Sequence, residues 1–320
     1  MAKQLAFRWQ LLILAFGASS LWAVEPGKPS TTSLIVACHR AVLSKHTDPL
    51  LRNPDHLALK FLGPEERALL SNNTCSKALD MDAQSGMETL PGRGLTVLLR
   101  TRHIDSAFDE SLRNGVQQVV ILGAGLDSRA YRYRDRLSGI RLFEVDFPPT
   151  QEYKKKRVRE IFGSLPRHVR YVPIDFTKQD LATVLAKAGY NPAKKTFFVW
   201  EGVTMYIPEE AVSATLQFVV RKSAPGSTIV FDYLPRSILS DENAKKALAR
   251  LAAIGEPWIF GIPDDDREGL ILRQGLRRVS DLSKEDLAAR YLRKPDGTVY
   301  PVEGLPLRIA IGVVPGRERK

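Results

Sequence analysis

The sequence predicts an α/β protein: a mostly parallel seven-stranded sheet with helices on both faces, entered through an N-terminal helical cap. Three observations carry that prediction. From residue 118 onward, short β-rich apolar runs alternate with stretches of helical periodicity, and strands separated by helices build a parallel sheet with right-handed crossovers. The first run, Val119-Val120-Ile121-Leu122, feeds directly into a glycine turn, Gly123-Ala124-Gly125. Three of the runs end on an acid, at Asp146, Asp175 and Glu201. Carboxylates are thereby set along the carboxyl edge of the sheet, where open α/β folds bind ligands.

Taken in chain order, Lys3 and Arg8 precede an apolar run over residues 11–18, and small residues follow at Ser19, Ser20 and Ala23. This is the layout of a secretory signal peptide. As a helix, residues 11–23 would reach only about 20 Å against about 30 Å of hydrocarbon. Residues 1–27 therefore read as a hydrophobic leader and linker, be it signal peptide, anchor or mis-assigned start, with membrane contact through residues 1–24 alone. The breaker-rich Glu25-Pro26-Gly27-Lys28-Pro29-Ser30 hands over to a helix near Thr31. Residues 28–320 are expected to form one domain, with a helical cap over about 30–115 and the sheet over about 116–320. Within the cap, apolar residues recur at helical spacing between breakers at Pro49, Pro54, Gly63-Pro64 and Pro91-Gly92. Strands are predicted at 118–122, 141–145, 169–174, 196–200 and 228–233. Residues 275–279 and 305–314, around the turn Lys294-Pro295-Asp296-Gly297, add two more at the sheet edge.

Composition narrows the function classes. A 44% hydrophobic, 26% charged chain is globular, and 47 Lys and Arg against 36 Asp and Glu give a net charge of +11, which favours anionic partners, acidic substrates or membrane surfaces. The densest basic run, Lys154-Lys155-Lys156-Arg157-Val158-Arg159, reads as a solvated helix face. No RNA-binding motif or interleaved aromatic platform accompanies it, so no nucleic-acid partner is expected. Only Cys38 and Cys75 occur, without zinc spacing; neither a disulfide scaffold nor a metal site is expected, and a reduced compartment is the default. The five histidines, His39, His46, His56, His103 and His168, read as structural.

The chemistry concentrates at the strand ends. Gly123 and Gly125 let the backbone turn tightly against a ligand, and Asp146, 23 residues after Gly123, stands where a carboxylate reaches a ribose diol. An NAD enzyme would use the same carboxylate. The third glycine of the dinucleotide fingerprint is replaced by Ser128, however, which removes the close helix approach that a pyrophosphate wants. That balance favours S-adenosyl-L-methionine, which has no phosphate. Asp175 and Phe176 stand where the adenine amino group and ring would lie. Glu201 opens the segment Glu201-Gly202-Val203-Thr204-Met205-Tyr206-Ile207-Pro208, in which Tyr206 is placed to orient an acceptor.

These stretches, with Arg100-Thr101-Arg102 and Ala224-Pro225-Gly226-Ser227, resemble the leucine carboxyl methyltransferase superfamily, especially its bacterial branch of S-adenosyl-L-methionine-dependent methyltransferases. The resemblance runs from about Ser30 nearly to the end. It implies a class I, Rossmann-like methyltransferase in which Gly123 lies against the cofactor, Asp146 holds the ribose, Asp175 and Phe176 frame the adenine, and Glu201 sits near the methionyl amino end. Either Arg100 or Arg102 takes the methionyl carboxylate. A small-molecule acceptor methylated on a carboxylate or hydroxyl oxygen is expected, its pocket shaped by residues 30–108 and by residues 235–268, which include Trp258 and Phe260. The cofactor is made in the cytosol, which argues for a cytoplasmic catalytic domain; the leader argues for tethering or export. An NAD-dependent oxidoreductase, and a non-catalytic binding protein on the same scaffold, are the alternative functions.

Overall fold

The computed structural model describes residues 29–69, 93–176 and 178–316. The leader, residues 70–92 of the expected cap and Cys75 lie outside them. The chain enters through α1 (Thr31–Ser44), whose N-cap Ser30 accepts a hydrogen bond from the Ser33 N–H, the usual way of satisfying an orphan helix-end donor. Two short helices follow, α2 (Ala58–Phe61) and α3 (Pro64–Leu69), and then the long α4 (Arg93–Arg113).

Seven strands build one sheet: β1 (Gln118–Leu122), β2 (Arg141–Asp146), β3 (Val169–Pro173), β4 (Thr196–Trp200), β5 (Thr228–Tyr233), β6 (Arg277–Ser283) and β7 (Arg308–Val313). Their order is β3-β2-β1-β4-β5-β7-β6. β1 to β5 pair in parallel, while β7 runs antiparallel to both β5 and β6. Between the strands lie α5 (Arg129–Arg132), α6 (Pro148–Phe162), α7 (Leu181–Lys187), α8 (Glu209–Arg221), α9 (Lys245–Ala253), α10 (Arg267–Arg273) and α11 (Lys284–Tyr291). The α6 boundaries follow local chemistry, with proline in the first turn and left-handed Gly163 (φ 78°) at the end.

Strand alternation divides the core in two. Val119 and Ile121 of β1 join Phe197 and the cap residues Leu34, Phe61, Leu98 and Phe108 in one apolar cluster. Val120 and Leu122 join Phe143, Phe198, Trp200, Leu216 and Ile271 in the other. Phe108 of α4 stacks on Phe197 of β4 with centroids 5.4 Å apart, so α4 lies directly against the sheet. Register then fixes the site: Leu122 pairs with Val145 on one side and Trp200 on the other, and Asp146 pairs with Pro173. The residues that follow, Gly123, Asp146, Asp175 and Glu201, consequently emerge side by side at the carboxyl edge.

Two expectations are corrected. Lys154 does not belong to a solvated face: it is 1% exposed and pairs at 2.9 Å with Glu144, itself fully buried on β2. The helical period turns the first lysine of the run onto the sheet while Lys156 and Arg159 stay outside. Cys38, buried in α1, is disulfide-bonded, against the expectation of a reduced compartment. No helix among the described residues is long and apolar enough to cross a membrane.

Candidate active site

The glycine turn is built for close approach. Gly123 has φ +63°, and a Cβ there would lie 2.2 Å from Val203 Cγ2, so any other residue would be both strained and blocked. The Gly125 N–H donates to Asp146 Oδ2 at 2.5 Å, and the Phe147 N–H donates to Oδ1 at 2.7 Å. Asp146 thus braces the turn with one acceptor site on each oxygen and keeps others for a ligand. Burial pushes its carboxyl up to about 6, against the pull of those two amides and of Lys154. Lys154 also donates to the Ala124 carbonyl at 3.4 Å, which places a buried ammonium beneath the turn.

Beside the turn lies a buried ionic network. Arg100 donates from Nε to Glu201 at 2.8 Å and from Nη1 to Asp232 at 2.9 Å. Arg129 reaches Glu201 at 2.7 Å, Asp105 at 2.7 Å and Asp127. Arg132 joins Asp105 at 2.9 Å, and Arg40 joins Asp55 at 3.1 Å. Burial alone would raise the Glu201 carboxyl, but Arg129, Arg100 and Arg40 outweigh it and hold it well below the usual carboxylate range. Four arginines face five carboxylates, Asp55, Asp105, Asp127, Glu201 and Asp232, one negative charge in excess. Removing one partner from such a network costs about 3–5 kcal/mol, because a buried charge is stranded. The excess suits a ligand of net charge +1.

One cavity of about 1010 Å³ joins these features, at the top of the range of roughly 300–1,000 Å³ for small-molecule sites. Arg100, Gly123, Gly125, Asp146, Asp175, Phe176, Glu201 and Tyr206 all line it. Arg102 does not. It points away, donating to the carbonyls of Pro49, Arg52 and Tyr291, so of the two arginines only Arg100 reaches the cavity. Asp175 pairs with Lys178 at 3.0 Å.

The rest of the wall is largely apolar, with Ile35, Val97, Met205, Leu234, Leu251 and Trp258. Tyr206 meets Trp258 edge to face, centroids 6.5 Å apart, and burial holds its phenol above its ordinary value. Trp258 stands in the expected wall, whereas Phe260 is buried in the core instead. His39, expected to be structural, also lines the cavity. Over the rim, Glu256 accepts from the Thr31 N–H at 2.6 Å, the Ser30 hydroxyl at 3.0 Å, the Thr32 N–H at 3.2 Å and the Thr32 hydroxyl. This clasp ties the start of α1 to the segment after α9. Sequence reading missed Arg129, Lys154 and Glu256; only the Leu126-Asp127-Ser128-Arg129 stretch was in view, as part of a motif.

Comparison with known proteins gives the family. The leucine carboxyl methyltransferase family model matches residues 33–220. YktD of Bacillus subtilis, by name an inferred S-adenosyl-L-methionine-dependent methyltransferase, is 29% identical over 82% of this chain and 91% of its own length. A relative from Frankia alni of the same name class is 31% identical over 76% of this chain and 80% of its own. Among solved structures, magnesium protoporphyrin IX methyltransferase from Synechocystis with bound SAH is 11% identical, with a TM-score of 0.43 over 68% of this chain and 84% of that one. The chain belongs to the leucine carboxyl methyltransferase family and is an S-adenosyl-L-methionine-dependent methyltransferase.

Proposed function

We propose that the enzyme methylates a carboxylate or hydroxyl oxygen of a small molecule. The observation that carries this reading is the shared cavity: the strand-end residues Gly123, Asp146, Asp175 and Glu201 and the apolar residues Met205, Leu234, Leu251 and Trp258 line the same space. S-adenosyl-L-methionine supplies an electrophilic methyl group on a sulfonium whose departure leaves a neutral thioether.

The fit to that cofactor rests on the turn and the charges. Gly123 leaves the backbone open where a Cβ would meet Val203. Asp146 retains acceptor sites for two ribose hydroxyls, worth roughly 1.5–3 kcal/mol each when given to an ionised carboxylate. Asp175 and Phe176 border the adenine side. Arg100, steered by Glu201 and Asp232, takes the methionyl carboxylate, and the surplus negative charge of the network, with Glu201 at its centre, favours the cationic remainder.

The chain's task is then alignment and exclusion of water, and holding reactants in line can supply roughly 7–11 kcal/mol. A carboxylate acceptor is already ionised and needs no base; a hydroxyl acceptor needs one. The raised Tyr206 phenol stays protonated at neutral pH, which suits it to orient an acceptor oxygen by donation and not to deprotonate it. A carboxylate, which needs no base at all, is the nucleophile this reading favours. Incubation with methyl-labelled cofactor and matched aryl and alkyl carboxylic acids and phenols tests this. Label in base-labile methyl esters is the expected result. Label solely in ethers, or on nitrogen or carbon, would refute the carboxylate assignment.

A further inference from the structure

α9 borders the cavity without being buried itself. None of its residues is buried, yet Ala247, Arg250 and Leu251, with Ile254 just beyond its end, all line the cavity. These positions recur at intervals of three and four and so share one helix face. Ile254 is 41% exposed, and a face of this kind on a surface helix ordinarily packs against something. Lys245 and Lys246 are exposed, and Lys245 pairs with Glu242 at 3.2 Å.

Charge gives the second observation. Four cationic side chains line the cavity: Arg40, Arg100, Lys178 and Arg250. The first three are ion-paired, with Asp55, with Glu201 and Asp232, and with Asp175. Among the described residues Arg250 makes no side-chain hydrogen bond or ion pair. It is also solvent-exposed. Arg250 therefore stands at the solvent side of the cavity, whereas the Arg100 and Glu201 pair is buried.

We infer that α9 is the acceptor-recognition lid and that the acceptor is an apolar molecule carrying an anionic group remote from the reacting oxygen. Its ring or chain packs on Ala247, Leu251 and Ile254, and its remote carboxylate, sulfonate or phosphate meets Arg250. The planar guanidinium suits any of these oxyanions. Contacts of this remote kind hold the acceptor in register for transfer. The assignment rests on the methyltransferase reading of the cavity and adds a substrate class to it.

The test uses two probes that share the same rings and differ by one sulfonate: anionic 1-anilinonaphthalene-8-sulfonate and neutral N-phenyl-1-naphthylamine. Each is titrated by fluorescence into the full chain saturated with S-adenosylhomocysteine. Arg250→Gln is expected to weaken the sulfonate about tenfold, the scale of a hydrogen-bonded charge, and to leave the neutral probe unchanged. Leu251→Asp is expected to weaken both, and Lys246→Gln neither. Equal sulfonate affinity in wild type and Arg250→Gln, or the same loss in Lys246→Gln, would overturn the assignment. S-adenosylhomocysteine titrations of the same chains separate the two levels. Failure confined to the naphthalene probes removes the lid assignment alone, whereas a wild-type chain that binds no S-adenosylhomocysteine removes the cofactor reading and this inference with it.

Discussion

Asp146 does two things with one carboxylate: it braces the glycine turn through the Gly125 and Phe147 amides, and it faces the cavity. Both need the ionised form, which burial disfavours. With its pKa raised to about 6, the folded protein protonates it well above the ordinary carboxylate range, and the neutral acid accepts ribose hydroxyls poorly. Affinity for S-adenosylhomocysteine should therefore be flat above pH 7 and decline below pH 6, approaching about tenfold per pH unit. Glu144, raised to about 7 by burial against the pull of Lys154, titrates nearby, so the control is Asp146→Asn, which should bind weakly and without that decline. Calorimetric titration from pH 5 to pH 8 checks it; a decline of equal size in the variant would assign the effect to Glu144. Asp146 was legible in the sequence because one strand end and one spacing mark it. Lys154 was not, because which face of α6 meets β2 is decided by packing and not by the charge run. Arg129 was hidden for a similar reason: its partners Asp105 and Glu201 come from α4 and from beyond β4, and only the fold brings them together.

At the scale of elements, the strands repeat their predicted boundaries to within a few residues because β-rich apolar runs and glycine or acidic ends are local signals. The wall over residues 235–268 was legible only as a region. The clasp of Glu256 on Ser30, Thr31 and Thr32 joins residues more than 200 positions apart, and nothing local announces it. The clasp closes one side of the cavity and sets a carboxylate at the positive end of α1. Glu256→Ala should cost about 2–3 kcal/mol of stability and release bound S-adenosylhomocysteine about tenfold faster. Trp258, two residues on and in the cavity wall, gives the stopped-flow fluorescence signal. Loss of stability with an unaltered release rate would make the clasp a structural tie and not a gate.

For the molecule as a whole, the excess of 11 positive charges does not describe the site, where carboxylates outnumber arginines and the glycine turn leads into an apolar chamber. Bulk charge predicts anionic partners, whereas the local network predicts a cationic cofactor. The fold was legible because alternating strands and helices leave few topologies open, and the cofactor edge because parallel strands place their ends together. The acceptor chamber was not, since its walls come from α1, α4, α9 and the segments between them. Parallel calorimetric titration of the full chain with S-adenosylhomocysteine and NAD asks whether this edge binds S-adenosyl-L-methionine. The expected result is one S-adenosylhomocysteine per chain at about micromolar affinity, about tenfold or more weaker in Asp146→Ala, with no heat from NAD. Binding of NAD in place of S-adenosylhomocysteine, or an Asp146→Ala chain that binds as well as wild type, would contradict it.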